Sequence, residues 1–237
     1  MSLDEKIGQL FMIAAYSNKD EKHYKEIDHL VKEHHVGGLI FFQGTPYKQV
    51  ELTNRYHTKA KVPLLIAIDG EWGLGMRLDS TISYPYQITL GAIKADSLIE
   101  EMGSQIADQC KRLGIHINFA PVVDINSNPN NPVIGFRSFG ENKEKVTQKG
   151  IAYMNGMQKN GVMAVAKHFP GHGDTDTDSH HALPLLKHDV QRLDSVELYP
   201  FQKLIDAGIQ GVMVAHLNVP AYEKRPNYAT TLSESVV

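Results

Sequence analysis

Residues 167 to 181 read Lys-His-Phe-Pro-Gly-His-Gly-Asp-Thr-Asp-Thr-Asp-Ser-His-His, so that four histidines and three aspartates follow directly on the apolar run 162–165. Imidazoles and carboxylates at this density can move protons or hold cations. Folding alone gives little reason for them, because like carboxylates repel and each buried polar atom requires a partner. His168, His172, Asp174, Asp178, His180 and His181 include side chains that zinc prefers. Their spacing argues against a metal centre: no His-Glu-x-x-His pattern occurs and Cys110 is the sole cysteine. The Asp174-x-Asp176-x-Asp178 run mimics the start of a calcium loop, yet Ser179 stands where that loop needs glycine and Leu185 where it needs a bidentate glutamate. No metal and no cofactor is expected. Asp174 and Asp176 read as residues that shape the loop by bonding nearby amides.

The elements that must position this loop are visible as apolar runs at 9–15, 36–42, 64–68, 115–123, 162–166 and 211–215, read as strands. Between them lie helical spacings such as Tyr24, Ile27, Val31 and Ile99, Met102, Ile106, Cys110, Leu113. Ser2 and Glu5 form a capping-box pattern, Pro200 suits the first turn of a helix closed by Gly208, and Ser233 is placed to cap another. Continuous apolar strands alternating with helices predict a parallel sheet covered by helices, either open and doubly wound or closed as a barrel. Long polar loops follow the strands at 69–93, 124–142 and 167–188, whereas the turns leading into strands, at 34–35, 61–62 and 208–210, are short. Unusual residues therefore collect at the C-terminal strand ends, the pattern of a (β/α)8 barrel. No glycine-rich phosphate turn follows the first strand. About six β/α units are present where a closed barrel has eight, so the expectation is a (β/α)8 TIM-barrel type truncated after about six units, as one domain over 1–237.

The chain has 237 residues, 42% hydrophobic and 22% charged, enough for a full core, and its formal charge of -3 with scattered Lys and Arg disfavours nucleic acid. Cys110 lies on an apolar helix side and reads as core. No apolar run approaches the roughly 18 residues of a membrane span. The start, Met1-Ser-Leu-Asp-Glu-Lys, lacks the basic-then-apolar pattern of a secretory signal.

Lys167-His-Phe-Pro-Gly-His-Gly173 followed by Asp178-Ser179-His180 resembles the signature of glycoside hydrolase family 3 in its β-N-acetylglucosaminidase branch. Further segments carry the resemblance along most of the chain: Ile7-Gly-Gln-Leu-Phe-Met, Gly37-Gly-Leu-Ile-Phe-Phe, Ile68-Asp-Gly-Glu, Asn118-Phe-Ala-Pro-Val-Val-Asp124, Ile134-Gly-Phe-Arg-Ser-Phe139 and the Ala229 to Ser233 stretch. The resemblance implies a retaining β-N-acetylhexosaminidase acting on terminal β-linked N-acetylglucosamine, as in a peptidoglycan fragment, in a bacterial cytoplasm or periplasm. It assigns the general acid/base to His180, paired with Asp178. An imidazole titrating near 6.5 suits protonation of a glycosidic oxygen near neutral pH, and an adjacent carboxylate would fix its tautomer and steady the imidazolium. Asp69, Arg77, Arg137, Lys167 and His168 match the positions that hydrogen-bond the sugar.

Two departures stand out. Asp69-Gly-Glu-Trp-Gly-Leu-Gly-Met-Arg77 carries Trp72 and Met76 where the family has smaller residues, leaving Trp72 either a stacking platform or a packing residue. The family's nucleophile is an aspartate on a seventh strand, which is not found before Val237, so the 237 residues alone are expected to be inactive. Asp124, Asp174 and Asp176 lie on site-facing loops but not on such a strand. His216 points to the site end, while His23, His29, His34, His35 and His57 read as surface or rim. Alternatives remain: a non-catalytic sugar-binding module, a metal-dependent hydrolase, or a phosphorylase, since a histidine repels phosphate less than a carboxylate does. Unpaired barrel edges would favour self-association.

Overall fold

The computed structural model describes residues 1–177 and 183–237. Ser2 opens helix α1 (Leu3–Gly8): its hydroxyl accepts from the Glu5 amide while the Glu5 carboxylate accepts from the Ser2 amide. Strand β1 (Met12–Tyr16) follows, then α2 (Glu21–Glu33), capped by Asp20 and burying Tyr24, Ile27 and Val31. The alternation continues through β2 (Gly38–Phe42), α3 (Pro46–His57), β3 (Leu65–Ile68), the short α4 (Gln87–Gly91), α5 (Asp96–Arg112) and β4 (Ile117–Asn118). It ends with α6 (Lys143–Lys159), β5 (Met163–Phe169), the single turn α7 (Val190–Arg192), α8 (Tyr199–Asp206) and β6 (Gly211–Val214).

All six strands are parallel and neighbour one another in chain order, β1 to β6. A doubly wound sheet would reverse its order at a switch point, whereas sequential parallel neighbours are the barrel arrangement. Both faces of the sheet are apolar. On one, Leu39, Phe41, Ile66, Ile68, Ala164 and Ala166 pack with residues of the helices. On the other, Ala67, Ile117 and Val165 meet Met12, Ile40, Met163 and Met213, an interior layer with contributions from all six strands. Cys110 is fully buried in the helix-side core, which pushes its thiol up to about 12. Among the described residues no helix is long and apolar enough to cross a membrane.

Two elements differ from the sequence expectation. The fourth strand, expected over 115–123, pairs regularly only at Ile117 and Asn118, because Pro121 has no N–H for a ladder. Beyond it Val122 still bridges Lys167 of β5 on one side, and on the other Gln87 takes the place of a strand, its carboxamide donating to Val122 O at 2.8 Å and accepting from Val122 N at 3.2 Å. Ser233 directs its hydroxyl to Glu223 rather than to a helix amide, although its carbonyl accepts from Val236 and Val237 in one turn.

Helices α5 and α6 meet through glycines. A Cβ added at Gly156 would stand 2.0 Å from the Glu100 carbonyl oxygen, and one at Gly103 would stand 2.6 Å from that of Tyr153. Alanine in a helix ordinarily gains about 1 kcal/mol over glycine, but this contact forces the helices apart. Gly156→Ala is therefore expected to destabilise the fold by about 2 kcal/mol, lowering the urea midpoint with an unchanged slope; a midpoint equal to or above the parent's would refute the close contact.

Candidate functional site

Asp69 and Glu71 flank Gly70 immediately after β3. The Gly70 amide donates to Asn118 Oδ1 at 2.8 Å, and its carbonyl accepts from Asn118 Nδ2 at 3.2 Å and from the Tyr153 hydroxyl at 3.0 Å. A side chain of β4 and one of α6 thus fix the peptide that aims two carboxylates. Lys167 and His168 would face opposite sides of a regular strand, yet both line one cleft, because the β5–β6 register shifts between Lys167 and Phe169. Arg137 ends the turn Gly135–Arg137 in the loop after β4. Asn131 holds that loop, accepting from the amides of Val133 and Ile134 and donating to His172 O at 2.8 Å.

These elements enclose a cleft of about 560 Å³ at the C-terminal strand ends, with Asp69, Glu71, Trp72, Arg77, Arg137 and Lys167 in its lining beside His168, His172 and His216. Charged groups there are tied into one chain. Arg77 Nη2 donates to Asp69 Oδ2 at 3.0 Å, Lys167 Nζ lies 2.8 Å from both Asp69 Oδ1 and Glu71 Oε1, and Arg137 forks onto Glu71 at 2.6 and 3.0 Å. Arg137 Nη2 continues to His168 Nε2 at 3.3 Å, and His168 Nδ1 reaches Asp124 Oδ2 at 2.7 Å. Asp124 also accepts from the His172 amide at 2.7 Å. The Arg77 guanidinium lies over the Phe42 ring.

Burial sets the electrostatics. Glu71 is 0% exposed, and burial alone would raise its carboxyl, but Lys167 and Arg137 prevail and bring it from 4.5 to about 2. Asp69 is likewise held below its ordinary value against burial by Lys167 and then Arg77, and Asp124 by His168. Burial pushes His168 below its ordinary value despite Asp124, which favours the neutral ring. A neutral ring receiving a hydrogen bond from Arg137 on Nε2 must carry its proton on Nδ1, facing Asp124.

The structure brings Asp69, Arg77, Arg137, Lys167 and His168 together in this cleft, and His216 joins them. Asp178 and His180 lie outside the described residues. Sequence reasoning did not single out Glu71, and it named Asp124 only as lying on a site-facing loop and His172 only as a possible metal ligand; a buried acid leaves no periodic mark, and only its cationic partners reveal it. Asp124 is fully buried and saturated by His168 and His172, so it serves the cleft from beneath. Asp174 accepts from Ser127 at 3.0 Å and pairs with His188, consistent with loop shaping. Gly171 (φ +126°) and Gly173, where a Cβ would lie 1.8 Å from Ile125 O, account for the glycines of the motif. Among the described residues no group of three or more His, Cys, Asp or Glu is arranged to hold a metal ion.

A sequential parallel β/α array with its polar cleft at the C-terminal strand ends defines an α/β protein of the TIM-barrel type. The family model for the glycosyl hydrolase family 3 N-terminal domain matches residues 2–236, and the chain belongs to that family. It is 39% identical over 213 residues to a beta-hexosaminidase A of Pseudoalteromonas piscicida, covering 84% of this chain and 36% of that protein. The structure of a family 3 beta-N-acetylglucosaminidase from Paenibacillus sp. str. FPU-7 superposes with a TM-score of 0.90 at 40% identity, over 100% of this chain and 46% of the other. NagZ from Neisseria gonorrhoeae in complex with N-trifluoroacetyl-D-glucosamine aligns with a TM-score of 0.82 at 28% identity, covering 94% and 67%. The chain therefore spans less than half the length of the first two proteins.

A carboxylate depressed by native partners contributes stability that is present above its unfolded value and lost as pH falls through its folded one. With Glu71 held near 2, stability is expected to decline from about pH 5 towards pH 2. Glu71→Gln is expected to cost about 3 kcal/mol at pH 7 and to make the acid limb shallower; denaturant titrations of both proteins across that range check it, and parallel curves would refute the burial of a charged Glu71.

Proposed function

We propose that this chain carries the sugar-binding cleft and the proton donor of a retaining β-N-acetylglucosaminidase that releases terminal β-linked N-acetylglucosamine. The observation that carries the reading is the convergence of Asp69, Arg77, Arg137, Lys167 and His168, from the loops after β3 and β4 and from β5 itself, on one cleft in a chain whose relatives bear that activity in their names. The charge balance supports a neutral ligand. Asp69 and Glu71 pair with Arg77, Arg137 and Lys167, and the buried Asp124 beneath them adds a third carboxylate through His168, so the network as a whole carries no large excess of one sign. Carboxylates and guanidinium groups held this way can still exchange hydrogen bonds with the ring hydroxyls of a sugar.

In this reading His180 protonates the leaving oxygen and then takes a proton from the attacking water, with Asp178 holding its ring. A carboxylate on a seventh strand forms the glycosyl intermediate. Lys167 and Asp69 bind substrate and act in the ground state as well as in the transition state.

Hydrolysis of an aryl β-N-acetylglucosaminide, measured with a polypeptide that includes the seventh-strand aspartate, checks the assignment. His180→Ala is expected to lower kcat by roughly 10²- to 10⁴-fold while KM changes little, and Lys167→Met to raise KM as well. Unchanged turnover in the histidine variant, or turnover that vanishes on chelation of metal ions and returns with added metal, would overturn it.

A further inference from the structure

Trp72, which lines the cleft, is in contact with two rings outside the lining, Tyr86 and Phe136. The Trp72 and Tyr86 rings meet edge-on at 4.8 Å, Tyr86 and Phe136 lie 4.6 Å apart at 46°, and Trp72 and Phe136 6.3 Å apart. Trp72 lines the cleft, and Phe136 directly precedes Arg137. Tyr86 and Phe136 turn outward, 46% and 50% exposed. A single exposed aromatic needs no explanation, but three in contact that run from a polar cleft into solvent form a continuous apolar wall that water covers poorly. They come from two different loops, those after β3 and after β4, so their meeting is a feature of the fold and not of one local sequence.

We propose that Trp72, Tyr86 and Phe136 form a second saccharide subsite, which receives the sugar ring joined to the one held in the cleft. This rests on the reading of the cleft as an N-acetylglucosamine site. A pyranose suits the wall because one of its faces presents C–H groups, which pack on aromatic rings, while its hydroxyl edges stay in water. Continuity decides the occupant: Trp72 belongs to both surfaces, so a ring linked to the first sugar meets the wall without leaving the cleft. Rings already held against one another lose little freedom on binding, which favours affinity.

Trp72 is the sole tryptophan, so its fluorescence reports on this place alone. The 237-residue chain is titrated with N-acetylglucosamine and with its thio-linked β-1,4 dimer, which resists hydrolysis, and calorimetry measures the same affinities. The dimer is expected to bind about tenfold more tightly than the monosaccharide. The double variant Tyr86→Ala, Phe136→Ala is expected to lose that gain while keeping the monosaccharide affinity within about twofold, and Phe136→Tyr is expected to keep the gain. Equal binding of the two sugars by the parent, or a gain that survives the double variant, overturns the second subsite and leaves the cleft reading intact. Absence of binding by either sugar overturns both. A double variant that changes the sedimentation behaviour of the chain without altering the dimer preference assigns the wall to self-association and overturns the proposal.

Discussion

The carboxylate of Glu71, fully buried and bonded to Lys167 and Arg137, is the interaction on which the cleft depends. The three groups come from three successive strand ends: Glu71 from the loop after β3, Arg137 from the loop after β4 and Lys167 from β5. Removing a charge from water costs several kcal/mol, and only good geometry with further hydrogen bonds restores it. Here the restoration is extensive, with a bidentate guanidinium and an ammonium on one carboxylate. Two loops and the end of a strand are thereby locked to one another. Such a lock fixes positions more than it adds stability, since apolar side chains of equal volume would hold the same space without the desolvation cost.

From that point the order spreads in both directions. Asp69 extends it to Arg77, and His168 extends it to Asp124, whose oxygens also receive the amides of His168 and His172. Beneath it Asn118 and Tyr153 clamp Gly70, so the core helix α6 is coupled to the direction of both acids. The motif glycines belong to the same construction. Gly173 lets the loop after β5 lie against Ile125, and any larger residue would drive the loops after β4 and β5 apart.

Much of this was legible in the residues. The helices around Tyr24 and Ile106, the capping box at Ser2 and Glu5 and the sequence of strands follow from periodicity and end signals, because local preference and tertiary packing agree there. The length of β4 was not legible. An apolar run continues past Pro121, and only the distant Gln87 shows how the backbone of Val122 finds partners on the side away from β5. The five residues assigned to sugar binding were named through a motif, whereas their mutual bonds could not be read from it. Lys167 and His168 illustrate the reason: alternation assigns neighbouring strand residues to opposite faces, and a register shift, invisible in sequence, brings both to one.

The same bonding restricts which groups can perform proton transfer. Asp69, Glu71 and Asp124 are all held below the ordinary carboxylate range, so none retains a proton to donate near neutrality. His168 accepts from Arg137 on Nε2 and directs Nδ1–H at Asp124, and burial favours this neutral form, which leaves it neither a free proton nor a free lone pair. A network built to hold a ligand still has spent the groups that could otherwise carry out acid–base chemistry on it. In the proposed reaction the proton donor is a residue outside the network, one that titrates near neutral pH. A histidine meets that requirement where a further buried carboxylate would not, and on the proposed reading this is the physical reason to separate the group that holds a sugar from the group that protonates it.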